Sequence, residues 1–148
     1  FALVVDLAWQ DQQQRCGAPS HINPDLVTFA DPPGKSYLSR FVMGEEEHRI
    51  LKIGQHLPHD EVHGEFIGMA MFSENGTQAL RDCYRASQER DRSSGFHEAG
   101  SFSKASFTDM VQELIDRGHR VDAVPIFKGW MEVDSFEEYQ KAWAKIRQ

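Results

Sequence analysis

Two acidic residues near the carboxyl end of the chain have the type and spacing of a metal-binding pair. Glu132 and Asp134 lie two residues apart in the segment WMEVDSFEEY, and residues two apart on an extended strand project to the same face. Two carboxylates on one face repel each other unless a cation lies between them, and Mg²⁺ prefers oxygen ligands. The pair therefore indicates a Mg²⁺ site. In a plainer interpretation, Asp134 or Ser135 caps the next helix and Glu132 is solvated.

Two further carboxylates are candidate catalytic residues. Glu65 precedes the apolar run FIGMAMF, and Asp109 falls in the first turn of a helical pattern. Each also has a structural explanation, because the helix dipole favours an acid in the first turn and a polar residue can begin a strand. Chemistry at these two positions therefore depends on whether the fold brings them close to the Glu132 pair.

The histidine-rich segment HLPHDEVH resembles a metal cluster only superficially. Its three histidines are His56, His59 and His63. Pro58 interrupts any helix there, so the regular same-face geometry of an HExxH metal site is unavailable. We therefore expect a loop.

The elements that must position these residues alternate between apolar strands and amphipathic helices. The pattern predicts strands over Phe1–Leu7, Leu26–Phe29, Tyr37–Met43, Arg49–Ile53, Glu65–Phe72, Ala123–Phe127 and Trp130–Asp134. It predicts helices that start at Ser73, Phe107 and Ser135. The charged turn Gly44–Glu47 fits either a hairpin or the start of a short helix, and Gly68 inside its strand predicts a bulge. This alternation is typical of an α/β domain with a mixed sheet.

Composition narrows the class of protein. The 148 residues suit a single domain, and 16 basic against 23 acidic residues give a net charge of −7. Without a basic run, the chain lacks the electrostatic footprint of a nucleic-acid-binding protein. No apolar run is long enough for a membrane span and no signal-peptide pattern opens the chain. Cys16 and Cys83 lack the CxxC spacing, so we expect reduced thiols in a cytoplasmic protein.

The chain begins abruptly in the apolar strand FALVVDL, without a methionine or a polar lead-in. A strand of this kind usually has chain before it, so we expect a piece of a longer protein. A fragment with an unpaired sheet edge tends to self-associate, and we therefore expect a homo-oligomer.

Three segments, GEFIGMA, TDMVQELIDRG and GWMEVD, resemble the C-terminal half of a sugar-phosphate or phosphonate nucleotidyltransferase domain. The most similar subgroup is the one associated with phosphoenolpyruvate phosphomutases in phosphonate biosynthesis. The resemblance also includes VVDLAW and ILKIGQHLP, and it covers most of the chain outside residues 10–48.

This resemblance implies a Rossmann-like mixed sheet flanked by helices. It also implies an activity, in which a nucleoside triphosphate, with CTP as the expected one, is joined to a phosphonate or phosphorylated small molecule and pyrophosphate is released. Glu132 and Asp134 are similar to the residues that hold Mg²⁺ in the family. Glu65 and Asp109 are similar to residues on the acceptor side.

The chain also departs from the family pattern. The Gly-rich nucleotide-binding loop and the upstream aspartate that completes the metal site belong to an N-terminal half that this chain lacks. Gln55 stands where the family often has Lys. We therefore expect little turnover from this chain alone. The alternative is a non-catalytic α/β module that serves oligomerisation or small-molecule binding within a larger enzyme of the phosphomutase type.

Overall fold

The computed structural model describes residues 1–10, 23–31, 48–89, 95–133 and 135–146. Within these ranges the strands are β1 (Ala2–Asp6), β2 (Leu26–Phe29), β3 (His48–Gly54), β4 (Gly64–Met71) and β5 (Asp122–Ile126). The helices are α1 (Glu74–Gln88), α2 (Phe107–Asp116) and α3 (Phe136–Ile146), and Phe102–Lys104 forms a 3₁₀ turn. The expected α/β class is confirmed. The predicted strand Tyr37–Met43 and the turn Gly44–Glu47 lie outside the described residues.

The strands close into a barrel in the order β1-β4-β2-β3-β5. β1 runs antiparallel to β4 and parallel to β5, and the antiparallel pairing of β3 with β5 completes the ring. This differs from the open, Rossmann-like sheet that the resemblance implies. The physical reason is that β5 pairs with β1 on one side and, through His48↔Ala123, with β3 on the other. The free sheet edge on which the expected self-association rested is therefore not found among these five strands.

The barrel interior is the main hydrophobic core, and alternate residues of the strands fill it. Leu3 and Val5 of β1 are completely buried there, together with Val27, Phe29, Ile50, Ile53, Phe66 and Ala123. Helix α2 contributes Val111 to the same core and packs against β3, while α1 packs against α2. No helix within the described ranges has the length and hydropathy to span a membrane.

Helix ends follow the capping patterns of the sequence. Ser73 caps α1 by accepting a hydrogen bond from the Gly76 amide, and Ser106 and Asp109 form a reciprocal capping box at α2. After α2, Gly118 has a φ of +84°, a left-handed conformation that glycine adopts without steric cost.

Gly68 marks an irregularity in β4, as its position in the strand predicts. The β1–β4 register shifts between Leu3 and Val5, and Gly68 has a φ of +81°. The bulge changes which residues face one another on the two strands, so that Asp6 pairs with Glu65 at the end of β1.

Candidate functional site

Asp6, at the buried end of β1, accepts hydrogen bonds from a loop that lies far away in the sequence. Asp6 is fully buried. Its Oδ1 accepts hydrogen bonds from the amides of Ala8 (2.8 Å) and Lys128 (3.0 Å), and its Oδ2 accepts one from Trp130 Nε1 (2.8 Å). Asp6 therefore holds the segment that follows β5 across the end of β1.

Glu65 faces Asp6 across the β1–β4 pairing and is 9 % exposed. Among the described residues, no hydrogen bond to its carboxylate is found. Burial and, after it, the nearby carboxylates of Glu132, Asp6 and Asp25 together raise the pKa of Glu65 to about 7. Near neutral pH this group is therefore divided between its neutral and charged forms, and it lacks a donor to compensate the charge.

Asp25 extends this group of carboxylates along the barrel end. It immediately precedes β2, whose first residue, Leu26, pairs with Glu65. Burial raises the pKa of Asp25, while hydrogen bonds from Gln55 Nε2 and Thr108 Oγ1, both 3.3 Å long, lower it. Gln55, which stands where the family often has Lys, thus positions a carboxylate in this structure.

Asp109 lies close enough to Asp25 to contribute to its raised pKa. Its own oxygens are already engaged, however. Oδ2 accepts from the amide (2.8 Å) and hydroxyl (2.9 Å) of Ser106, and Oδ1 accepts from the Glu98 amide (3.0 Å). The structure therefore shows Asp109 capping α2 and holding the preceding loop. Its assignment as an acceptor-side residue stays a prediction.

Glu132 is exposed and close enough to Glu65 to raise the pKa of that residue. The strand predicted for Trp130–Asp134 is wrong over residues 130–133, which have no regular secondary structure. Lys128 and Gly129 adopt left-handed conformations (φ 60° and 90°), and Asp6 binds the chain on both sides of that turn. The chain is thus drawn across the barrel end instead of returning as a hairpin strand. Asp134 lies outside the described residues.

The donor set suits a hard cation, because it consists of carboxylate oxygens. Glu132 and Asp6 both lie close enough to Glu65, at one end of the barrel, to raise its pKa. Within the part of the chain that the structure describes, no three or more Asp, Glu, His or Cys side chains are grouped tightly enough to hold a metal ion. The Mg²⁺ site expected at Glu132 and Asp134 therefore stays a prediction.

Asp6 and Asp25 are missing from the candidates that the sequence suggests. Both have a recognisable signal, since Asp6 ends the apolar strand ALVVD and Asp25 stands just before the apolar strand LVTF. Acids at strand ends are common, so this signal alone does not select them. The resemblance implies a different, upstream acid for the metal site, whereas the structure places Asp6 beside Glu65.

The histidines of HLPHDEVH have separate environments, in agreement with the expected loop. His59 stacks on Trp9 with ring centroids 6.1 Å apart. His63 stacks on Phe29 and accepts a hydrogen bond from its amide through Nδ1 at 3.0 Å, and burial lowers the pKa of His63. His56 instead lies 3.4 Å from the Glu98 carboxylate.

Comparison of the chain with protein-family models, with curated proteins and with solved structures gives no match.

Proposed function

We propose that this chain is part of a Mg²⁺-dependent cytoplasmic nucleotidyltransferase that acts in phosphonate biosynthesis. It joins a nucleoside triphosphate, CTP in our proposal, to a phosphonate or phosphorylated small molecule and releases pyrophosphate. In this proposal, the strands around Asp6 and Glu65 correspond to the C-terminal part of a nucleotidyltransferase domain associated with phosphoenolpyruvate phosphomutases. The sequence segments GEFIGMA, TDMVQELIDRG and GWMEVD suggest this class.

The observation that carries the proposal is the Glu65 carboxylate, which accepts no hydrogen bond among the described residues. It is 9 % exposed, and burial together with the carboxylates of Glu132, Asp6 and Asp25 disfavours its charged form. Burying a charge without a partner costs several kcal/mol. A cationic ligand offsets that cost, so the site favours a metal ion, an amine, or both.

The proposal divides the roles among the acidic residues of the site. Glu132 and Asp134 hold Mg²⁺, which neutralises triphosphate charge when it is bound. Glu65 binds the cationic amine of an acceptor such as 2-aminoethylphosphonate, with Asp25 beside it. Asp6 positions the loop that contains Trp130 and leads to Glu132. Catalysis in such a site consists mainly of positioning and electrostatic stabilisation.

The proposal is tested by pyrophosphate release from the intact protein. Mg²⁺ and each nucleoside triphosphate are supplied with 2-aminoethylphosphonate or phosphocholine as the acceptor. We expect release with CTP, loss of that release in Asp134→Asn, and in Glu65→Gln a raised KM for the acceptor with little change in the KM for CTP. Glu61→Gln is the matched control, because Glu61 is exposed and pairs only with Lys52 in the described contacts.

A binding measurement on this chain itself complements the assay. Isothermal titration calorimetry with 2-aminoethylphosphonate is expected to give heat of binding that Glu65→Gln weakens at least tenfold and Glu61→Gln does not. A folded protein that releases no pyrophosphate with any pair of substrates contradicts the catalytic proposal.

A second candidate is a non-catalytic α/β module for oligomerisation or small-molecule binding. It is favoured by Asp6, whose two oxygens are occupied in holding the loop, and by the absence of a three-carboxylate group in the described ranges. In that case Glu132→Gln and Asp134→Asn change stability by roughly 1 kcal/mol and leave ligand binding intact.

A further inference from the structure

The outer face of the barrel formed by β4, β1 and β5 carries several exposed apolar side chains. The register places Met71 opposite Ala2 and Val124 opposite Val4, so these side chains share one face. Asp122, which also pairs with Ala2, lies at the edge of this face and forms an ion pair with Arg120. Met69 is 62 % exposed, Met71 71 % and Val124 47 %. We call this surface the outer sheet face. A sheet in an α/β protein normally has helices on the face that its core does not fill.

Helix α3 presents a second apolar surface that is partly exposed. Phe136, Tyr139 and Trp143 recur at helical spacing and stack in a row, with successive ring centroids 6.2 Å apart. They are 74 %, 50 % and 48 % exposed, and Ala142 is the buried residue among the α3 side chains that the structure describes. We call these three residues the aromatic row. An amphipathic helix normally buries such a face.

We propose that the aromatic row of α3 packs on the outer sheet face of a second copy of the chain, and that the contact is reciprocal in a two-fold dimer. The two surfaces match in chemistry, because methionine sulfur makes favourable contacts with aromatic rings. They also match in length, since an eleven-residue helix and a five-residue strand are each about 16 Å long.

The area available favours the reciprocal arrangement over a single contact. At their observed exposures, the three aromatic side chains offer roughly 350 Å² per copy, and the outer sheet face offers a similar amount. Two reciprocal contacts bury roughly 1,300 Å² in total, within the range of about 1,200–2,000 Å² typical of stable interfaces. One contact alone buries about half of that and falls below this range. A two-fold axis also closes the assembly and leaves neither surface exposed.

This dimer goes beyond the proposed function, and its test does not depend on activity. Sedimentation velocity at micromolar concentration is expected to show a dimer. Met71→Arg on the sheet and Trp143→Arg on the helix should each shift it to monomer, with a loss of affinity of at least a hundredfold. Leu51→Arg is the matched control, because Leu51 is 41 % exposed on β3, which is not one of the three strands of the outer sheet face.

A cross-linking experiment identifies the contact without an arginine variant. p-Benzoylphenylalanine is placed at position 136, and ¹⁴N- and ¹⁵N-labelled chains are mixed before irradiation. We expect cross-links between differently labelled chains, from position 136 to the peptide that contains Met69 and Met71. A monomer at every concentration, cross-links confined to one chain, or cross-links from position 136 to α3 of the other copy would each overturn the proposal.

Discussion

At the level of single residues, the Glu65 carboxylate is buried, and neighbouring carboxylates disfavour its charged form. Its pKa in the folded protein is about 7, whereas its ordinary value is 4.5. The folded state therefore binds a proton that the unfolded state releases between these values. Stability from neutral Glu65 is fully present below pH 4.5 and is lost as the pH rises through 7.

We therefore predict that Glu65→Gln stabilises the protein at pH 8 by about 2 kcal/mol and has little effect at pH 4. The pKa difference alone corresponds to a larger free energy of unfolding. We expect a smaller effect because Glu65 keeps some contact with solvent. Urea unfolding at several pH values measures the effect. Glu61→Gln should change the stability by less than about 1 kcal/mol, because exposed ion pairs contribute little. If Glu65→Gln and the parent protein were equally stable at pH 8, the charged Glu65 carboxylate would not destabilise the folded protein, and the prediction would be wrong.

Single residues also show where sequence reasoning succeeds and where it stops. Glu65 stands out in the sequence because it is an acid at the start of an apolar strand. Asp6 and Asp25 carry the same signal, but they lie 19 residues apart in the chain and join Glu65 only through the β1–β4 and β2–β4 pairings. Register is a property of paired strands, so no single segment contains it.

At the level of elements, the helices were the most predictable part of the structure. The pattern places a helix at Phe107–Arg117, and α2 is observed over Phe107–Asp116 with Ser106 as its N-cap. Local signals determine these boundaries, because a capping side chain and its amide partners are three residues apart. The strand expected at Trp130–Asp134 failed for the opposite reason. Its path depends on Asp6, more than 120 residues earlier in the chain.

We predict that Ser106→Ala destabilises the protein by about 1 kcal/mol, since it removes the cap of α2. The loss also affects the site, because Ser106 and Glu98 hold Asp109 between them. Chemical denaturation followed by circular dichroism measures the change. Ser103→Ala is the control, because the Ser103 hydroxyl is exposed and bonds only to Ser101 among the described contacts. A cost for Ser106→Ala no greater than that of the control would argue against the capping role.

At the level of the whole molecule, the α/β class could be predicted and the barrel could not. Apolar strands and amphipathic helices are visible in the sequence, but closure requires β3 to meet β5 across the ring. Nothing local in either strand specifies that partner. The patterns Ala2–Asp6 and Asp122–Ile126 fit an open sheet equally well.

The packing of the molecule predicts an uneven distribution of local stability. Barrel strands bury a shared core, whereas the described side chains of α3 are mostly exposed. We expect amide hydrogen exchange in α3 to be at least a hundredfold faster than in β1 and β5 when the chain is monomeric. Exchange measured with the Met71→Arg variant tests this in the absence of dimer contacts. Equal protection of α3 and the strands would mean that α3 belongs to the cooperative core.

The pairing of β1 with β5 has a consequence for the way in which the chain reaches its fold. Ala2 lies beside Asp122, so β1 leaves the ribosome well before β5, and the ring cannot close until β5 has followed. Contacts between such distant parts of a chain raise the contact order and slow folding. Synthesis at about 5–20 residues per second leaves β1 without its parallel neighbour for at least several seconds. During that interval the nascent chain exposes an apolar strand, and a chaperone that binds such strands is expected to increase the yield of folded protein.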